Sequence, residues 1–569
     1  TVLVSDINPG TGRALVRRYV SASNTLYFIA NNGSNGNELW RSDAAGTVVV
    51  KDINAGSGSS DPSDLTRAGN SLYFLANDGI NGEGLWKTDA TGTVQIKAGS
   101  FAPGNLFAQG KTLYFSANDG INGLELWKTD GTDAGTVLVY DINSGAGNST
   151  PSNLFSLGGV LYFAAYNGVD GNELWRTDGT STGTYMLEDI GQLGGDSAVH
   201  GMVSIGTSRY FLASDGSGAN ITLWRTNGTT ASTVMIKNIY IRSKLLVMGK
   251  SLFFLVVDEG NVGLWKSDGT TAGTVQVKKI NVSFNISNGF AIVGNTIYMT
   301  VSDGVTGEEL WKSDGTTAGT VQVKDINFGA ASSKPNYFTS IGNTLYFIAN
   351  NGSSGNELWK TDGTAAGTLM VKDIFPGSNA SMTLFPADGK KMVVINNSLY
   401  FSATDGVNGS TLWKSDGTDA GTAMVKSVSA GASSLKTTPT SSFAIAGNTL
   451  YFVANDGRGR ELWKSDGTDV GTIMLKDINP GAAPSLSVVS GLTVMGNEVF
   501  FVADNGSNGQ ELWKTDGAAS GTVMVKDINT GAGSSSIISM NVVGNTLFFD
   551  ANDGVNGSEL WKSDGTTAG

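Results

Sequence analysis

The residues with the clearest potential for chemistry are oxygen-bearing side chains in a short glycine-rich motif that recurs along the chain. The motif reads NDGINGE at 77–83, NDGINGLE at 118–125 and NDGVNGSE at 552–559. Carboxylate and amide oxygens at such short spacing are the ligands that a hard cation such as calcium prefers. The motif therefore predicts calcium sites whose ligands are Asp78, Asn81, Glu83, Asp119, Asn122, Glu125, Asp553, Asn556 and Glu559.

The same motif also supports a purely structural interpretation. Asp-Gly and Asn-Gly pairs favour tight turns, because glycine accepts a positive φ and the Asx side chain bonds nearby backbone amides. Several copies carry asparagine in place of the first carboxylate, namely Asn32, Asn167, Asn351 and Asn505. The spacing is also not that of an EF-hand loop. From the sequence, calcium binding and plain turn formation both remain open.

Other catalytic residue types are sparse. The chain has one histidine, His200, and no cysteine, so thiolate chemistry and disulfides are excluded. It contains no G-x-S-x-G, P-loop or HExxH motif. The longest interval between successive tryptophans runs from Trp359 to Trp413. It includes residues 385–392, which are the best candidate for a specialised loop. We therefore predict a protein that is not an enzyme and has no cofactor other than calcium.

The elements that position these loops are set by a repeat. Each of the twelve tryptophans follows a leucine and precedes a lysine or arginine, and successive tryptophans are 41 to 54 residues apart. A period in this range is typical of propellers and solenoids. The tryptophans are Trp40, Trp86, Trp127, Trp175, Trp224, Trp265, Trp311, Trp359, Trp413, Trp463, Trp513 and Trp561. A side chain that occupies one strand position in every repeat indicates packing between repeats more than binding of a sugar ring.

One repeat contains four runs that are typical of strands. In the copy around Trp513 they are 492–496, 499–504, 511–516 and 522–528, rich in Val, Phe, Thr and Met and separated by Gly, Asn, Asp and Ser. The intervening segments are too short for crossover helices, so the strands are predicted to pair as an antiparallel meander. Stacking such sheets around an axis buries both faces and leaves only short edges exposed.

The two ends of the chain predict a closed ring. Residues 563–569 lack a fourth strand, and residues 1–7 supply one: joined, they read SDGTTAGTVLVSDI, which matches SDGTTAGTVQVKDI at 313–326. We expect the chain to be a processed product or a piece of a longer protein. The predicted fold is all-β, a single closed twelve-bladed β-propeller over 1–569 with 1–7 completing the last blade. Two six-bladed rings are the alternative, and the chain would then have to cross between the rings after Ile7 and after Ile280. The connections at these two places are no longer than the others, which favours a single ring.

The segments ELWKTDGT and ELWKSDGT resemble the ELWxxDGT tandem-repeat family of bacterial secreted and surface proteins. The resemblance covers the whole chain and is specific in ten of the twelve copies. The copies at Trp40 and Trp86 depart from it, since they read RSDAAGT and KTDATGT after the tryptophan. The resemblance implies a protein that is secreted or on a bacterial cell surface, and it implies no activity.

Charge and hydropathy restrict the partners. The formal net charge is −13, and a surface this acidic repels nucleic acid. No apolar run is long enough to cross a bilayer, so membrane insertion is not expected. Together these patterns predict a non-enzymatic extracellular binding or structural module whose partner is a protein or glycan, through protein–protein interaction or adhesion at a cell surface. A glycan-binding, lectin-like propeller is the alternative, and a glycosidase or lyase is the third.

Overall fold

The computed structural model describes the chain except for residues 23–24, 44, 98–100, 192–193, 217–220, 259–260, 281–289, 383–391, 428–442, 482 and 487–490. The described residues form twelve four-stranded antiparallel sheets, which confirms the predicted twelve-bladed β-propeller. We number the blades 1 to 12 by their tryptophans, from Trp40 to Trp561. Most of the candidate loop at 385–392 lies outside the described residues.

The strands follow one order in every blade. In blades 1 to 12 the first strands are Arg17–Ala22, Ser63–Ala68, Gly104–Gln109, Ser152–Leu157, His200–Ile205, Leu246–Met248, Phe290–Val293, Asn336–Ile341, Met392–Ile395, Phe443–Ala446, Thr493–Met495 and Ile538–Val543. The second strands are Thr25–Asn31, Ser71–Asn77, Thr112–Asn118, Val160–Tyr166, Ser208–Ser214, Ser251–Asp258, Thr296–Ser302, Thr344–Asn350, Ser398–Thr404, Thr449–Asn455, Glu498–Asp504 and Thr546–Asn552.

The third strands carry the tryptophans. They are Asn37–Asp43, Glu83–Asp89, Leu124–Thr129, Asn172–Thr177, Ile221–Thr226, Asn261–Ser267, Glu308–Ser313, Asn356–Thr361, Ser410–Ser415, Arg460–Ser465, Gln510–Thr515 and Ser558–Ser563. The fourth strands are Gly46–Val49, Gly92–Gln95, Val137–Tyr140, Tyr185–Met186, Val234–Lys237, Val275–Ile280, Val321–Lys324, Leu369–Lys372, Ala423–Met424, Ile473–Met474, Val523–Lys526 and Val2–Leu3. The described residues contain one further element, a single turn of 3-10 helix at Thr230–Ser232.

The core consists of twelve apolar clusters, each shared by two consecutive blades. In the cluster between blades 8 and 9, Leu358 packs with Leu399, Phe401 and Trp413. Because the middle strands are covered on both faces by neighbouring blades, their sequences are continuous apolar runs and not alternating ones. The twelfth cluster joins Phe548 and Leu560 of blade 12 to Phe28 of blade 1 and its neighbours. The clusters therefore run without interruption around one closed ring.

The beginning of the chain completes blade 12. Val2 pairs with Lys562 and Leu3 with Trp561, and the Val4 amide donates to the Leu560 carbonyl at 2.9 Å. Thr1 is fully buried, and its hydroxyl lies 2.7 Å from that of Ser563. The regular pairing of this strand is shorter than the predicted seven residues. The fourth strands of other blades are interrupted by a bulge at the same level, as in blade 7, where the register shifts between Leu310 and Trp311.

Within the described part of the chain, no helix has the length and apolar character needed to span a bilayer.

Candidate functional site

The loops between second and third strands lie at the same end of the ring as the connections between blades. A β-carbon on Gly79, in such a loop of blade 2, would lie 2.2 Å from the Asn54 side chain in the connection from blade 1. We call this end of the ring the loop face. The predicted calcium ligands belong to it.

The structure brings the Asp and Asn of each predicted calcium loop together. Asp78 Oδ1 accepts the backbone N–H groups of Ile80 and Asn81 at 2.9 and 2.6 Å, and Asn81 Nδ2 donates to Asp78 Oδ2 at 2.8 Å. These hydrogen bonds, the Asn81 amide first, lower the pKa of Asp78. The same pairing occurs at Asp119 with Asn122 and at Asp553 with Asn556. Each pair closes its own Asx turn.

The glutamates do not join these pairs. Glu83 is exposed and lies three residues before Trp86, whereas Glu125 and Glu559 lie two residues before their tryptophans and are fully buried. Both Glu125 oxygens already accept backbone N–H groups, Oε2 from Ile142 and Oε1 from Ser149. The described residues contain no group of three or more carboxylate, histidine or cysteine side chains placed to hold a metal ion. Calcium binding in these loops stays a prediction.

Tight packing of the loop face restricts its backbone. Gly123 has φ +70°, and a β-carbon there would lie 1.8 Å from the Gly147 carbonyl oxygen of the next connection. We expect Gly123→Ala to destabilise the protein by about 2 kcal/mol or more, through backbone strain and this clash. Chemical denaturation would measure the loss. Gly110→Ala is the matched control, since it also has positive φ but its β-carbon meets nothing within 4 Å; an equal loss in both would contradict the role of the clash.

A network of buried glutamates lies behind the loop face. In blade 7, Glu309 Oε2 accepts the Ile326 N–H at 2.8 Å and Oε1 accepts the Ser333 N–H at 3.0 Å. The Ser333 hydroxyl lies 2.6 Å from Oε2 and 3.2 Å from the Glu308 carbonyl oxygen, and it can donate its one proton to either of them. Glu309 thus fixes the start and the end of the connection to the next blade. The fully buried members are Glu38, Glu125, Glu173, Glu309, Glu357, Glu461, Glu511 and Glu559.

Burial dominates the electrostatics of this network. It raises the pKa of Glu309 to about 7 despite the opposing hydrogen bonds, and Glu173, Glu357, Glu461 and Glu511 reach the same value. Sequence reasoning assigned Glu125 and Glu559 to calcium and missed the network. The available signal was a glutamate two residues before the tryptophan, which places both side chains on one face of the strand.

The loop face also exposes aliphatic side chains at one repeated position. The residue after the Asp-Gly or Asn-Gly pair is 66% to 87% exposed in six blades. These residues, which we call the tip residues, are Ile80, Ile121, Val169, Val305, Val407 and Val555. Phe328, in the connection from blade 7, is 91% exposed. Asx turns surround these apolar side chains with polar groups.

A second concave feature lies toward the ring centre, where first strands of consecutive blades contact one another. The first strands of blades 1 to 3 each carry a bulge with a left-handed residue: Arg18 at φ 56°, Asp64 at φ 50° and Asn105 at φ 52°. They border an open groove of about 450 Å³. Its wall also includes Tyr19, Val20, Leu65 and Leu106. The bulges place a different polar side chain on each blade of an otherwise uniform scaffold.

Comparison with known proteins gives one family match. The model of the family described as outer membrane protein assembly factor BamB matches residues 295–567, just under half of the chain. A search of curated proteins finds no significant match.

Solved structures resemble the chain at low identity. A puromycin hydrolase complexed with PGG is 15% identical with a TM-score of 0.25, covering 64% of this chain and 59% of that one. A puromycin-hydrolysing peptidase of Mycobacterium tuberculosis is 12% identical with a TM-score of 0.25, covering 73% and 60%. PorZ, a surface component of the type-IX secretion system of Porphyromonas gingivalis, is 13% identical with a TM-score of 0.24, covering 96% and 72%. The chain spans about three fifths of the length of the two puromycin-hydrolysing enzymes.

The family match corrects the functional prediction. The matched family is described as an assembly factor for outer membrane proteins, not as an adhesin, a lectin or a glycan-cleaving enzyme. The prediction of an adhesive or structural surface module is therefore wrong, as are its glycan-binding and glycosidase or lyase alternatives. The resemblance to ELWxxDGT repeats is not tested by this match and stays a prediction.

Proposed function

We propose that the chain is a non-enzymatic scaffold of the bacterial cell envelope that holds a partner protein on its loop face during protein assembly. The observation that carries this proposal is the row of exposed tip residues at one repeated position. Isolated exposed aliphatic residues are common on any protein surface, but a repeated set on one face marks an interaction surface. The matched family, an outer membrane protein assembly factor, supports a protein partner and an envelope location.

The chemistry of the face fits a protein partner. Apolar side chains surrounded by hydrogen-bonded Asx turns reproduce the apolar centre and polar rim of a protein interface. Two of the repeated carboxylates on this face have structural roles: Asp78 closes its turn, and Glu309 fixes a connection. A uniform ring also presents several weak contacts to one partner, and their effects combine through multivalency.

Removing adjacent tip residues is expected to abolish partner recovery. The variant Ile80→Ser, Ile121→Ser, Val169→Ser changes side chains that are 87%, 72% and 74% exposed, so the fold and the melting temperature should be unchanged. Immobilised protein would be incubated with a bacterial envelope extract, and retained proteins identified by mass spectrometry. We expect the parent to retain an outer membrane protein or assembly component, and the variant to retain at least tenfold less of it.

The matched control carries Val48→Ser and Val94→Ser, which alter exposed aliphatic residues on the fourth strands, away from the loop face. It should retain the same partner as the parent. Equal retention by all three proteins, or retention of no envelope protein by the parent, would overturn the proposal.

A further inference from the structure

The seam between blade 12 and blade 1 departs from the other seams at three positions. The first is Asp550, on the second strand of blade 12 and opposite Leu560. Eight blades carry an apolar residue at this position: Ile29, Leu75, Ala164, Leu212, Leu255, Ile348, Val453 and Val502. The other three carry Ser116, Thr300 and Ser402, whose hydroxyls have hydrogen-bond partners in the structure. A carboxylate occurs at this position in blade 12 alone.

The second departure faces Asp550 from blade 1. Tyr19 packs into the apolar cluster of this seam, with its ring centroid 6.5 Å from that of Phe28. Bulged first strands elsewhere carry an apolar residue at this position: Leu65, Leu106, Leu154, Met202, Phe338 and Met540. The Tyr19 hydroxyl is therefore an added oxygen in a layer that is otherwise apolar.

The third departure is a missing hydroxyl. Ala14 stands where the other networks have serine, such as Ser333 beside Glu309. Glu559 consequently accepts from the backbone N–H groups of Ile7 and Asn8, at 2.8 and 3.1 Å, without a serine hydroxyl. Burial, together with smaller contributions from the nearby Asp6 and Asp550 carboxylates, raises the pKa of Glu559 to about 8.

One oxygen of Asp550 is unsatisfied in this seam. It is 3% exposed, and although Ser558 hydrogen-bonds to the carboxylate, Oδ1 has no partner among the described residues. The Tyr19 hydroxyl is likewise buried and without a partner in that part of the structure. Burial raises the pKa of Asp550 to about 6, and the Arg13 cation opposes this rise. The Asp550 charge in turn acts on Tyr19. Two independent buried oxygens, contributed by two blades, thus lack hydrogen bonds in one seam.

We propose that this seam binds a primary ammonium group, such as the end of a lysine side chain of the partner, between Asp550 Oδ1 and the Tyr19 hydroxyl. An ammonium donates three hydrogen bonds and suits oxygens that both lack a donor. Its methylene stem would extend past the Tyr19 ring, which packs against the apolar cluster of this seam and also borders the open groove. A calcium ion fits less well, since it requires six to eight oxygens and both Glu559 oxygens already accept N–H groups. The inference rests on the proposed function in assigning the amine to a partner protein.

The probe is n-butylammonium chloride, which carries the amine and the methylene stem of lysine. Calorimetric titration of the full chain at pH 7.5 should show saturable binding with one site per chain. Butan-1-ol and tetramethylammonium should not bind. Asp550→Leu restores the residue of blades 2, 5 and 6, so it should raise the melting temperature while weakening n-butylammonium binding at least tenfold. A purely structural role would instead lower the melting temperature.

Tyr19→Phe keeps the ring and removes one acceptor, and it should weaken binding several-fold without unfolding the protein. Absence of saturable n-butylammonium binding, or equal binding by Asp550→Leu, would overturn the inference. Saturable binding of calcium in place of the amine would overturn it as well. The titration uses the isolated chain, so its failure would leave partner retention by the tip residues intact, and loss of retention alone would refute only the proposed function.

Discussion

Deleting residues 1–7 is expected to lower the melting temperature by on the order of 10 °C and to open the ring at the blade 12 seam. The deletion removes the fourth strand of blade 12 and the Ile7 side chain, which is 3% exposed. It also removes the Ile7 N–H that donates to buried Glu559 at 2.8 Å. Burial of one such side chain contributes about 1.5–3 kcal/mol, and an unsatisfied buried carboxylate costs about as much again. Differential scanning calorimetry would measure the shift, and small-angle scattering the opening.

A circular permutant separates the covalent break from the missing strand. Gly569 would be joined to Thr1, and the chain opened between Gly342 and Asn343, an exposed turn between two strands of blade 8. This variant keeps every strand, so we expect it to melt within a few degrees of the parent. Deletion of 1–7 without a change in melting temperature would contradict closure by this segment, whatever the permutant does.

The fold was predictable because its determinants are local and repeated. The Leu-Trp-basic core fixes the third strand, and the continuous apolar run before it fixes a second strand that neighbours cover on both faces. Closure could be inferred because residues 1–7 complete a unit whose full form stands at 313–326. The bulges at Arg18, Asp64 and Asn105 could not be foreseen, since no glycine marks their left-handed backbone.

The candidate site was only partly predictable. Asp-Gly-x-Asn-Gly correctly predicts that Asp78 and Asn81 meet, because their contact is made within four residues. The grouping of Glu83 with Glu125 did not allow for the two-residue period of a strand, which places side chains one position apart on opposite faces. The Glu125 partner, Ser149, lies 24 residues away across a seam. Asp550 and Tyr19 are more than 500 residues apart, and only ring closure brings them together.

The buried glutamates predict that stability falls as pH rises from about 5 to about 8.5. Burial holds the pKa of Glu309 near 7 in the folded protein, whereas an unfolded chain titrates near its ordinary value of about 4.3. Between these values the folded protein retains protons that the unfolded chain releases. The stabilisation is therefore complete below about pH 4.3 and is lost as pH rises through about 7. The pKa values of Glu173, Glu357, Glu461 and Glu511 are raised in the same way. We therefore expect the melting temperature to decrease by on the order of 10 °C as pH rises from about 5 to about 8.5.

The lower pH limit is set by a different group of residues. The turn aspartates, such as Asp78 and Asp119, have lowered pKa values. Their contribution is present above their ordinary pKa and lost as pH falls below about 4. Stability is therefore expected to be greatest near pH 5. Thermal denaturation followed by circular dichroism across pH 4 to 9 would locate the maximum, and a maximum above pH 7 would contradict the prediction.

Substitution of Glu309 tests the same mechanism at one site. Protonated Glu309 donates to the Ser333 hydroxyl, which can then donate to the Glu308 carbonyl oxygen 3.2 Å away, so the neutral acid keeps the network intact. Glu309→Gln has no titrating proton and can still donate to the Ser333 hydroxyl, but its NH2 group cannot accept the Ile326 N–H. It should therefore melt below the parent at pH 5 and lose less stability than the parent between pH 5 and pH 8.5. Glu309→Leu leaves the Ile326 and Asn327 N–H groups without an acceptor, so we expect it to cost about 3–5 kcal/mol at both pH values. If Glu309→Gln instead lost as much stability at pH 8.5 as Glu309→Leu, the glutamate would be acting as an ionised carboxylate and the pH dependence would have another source.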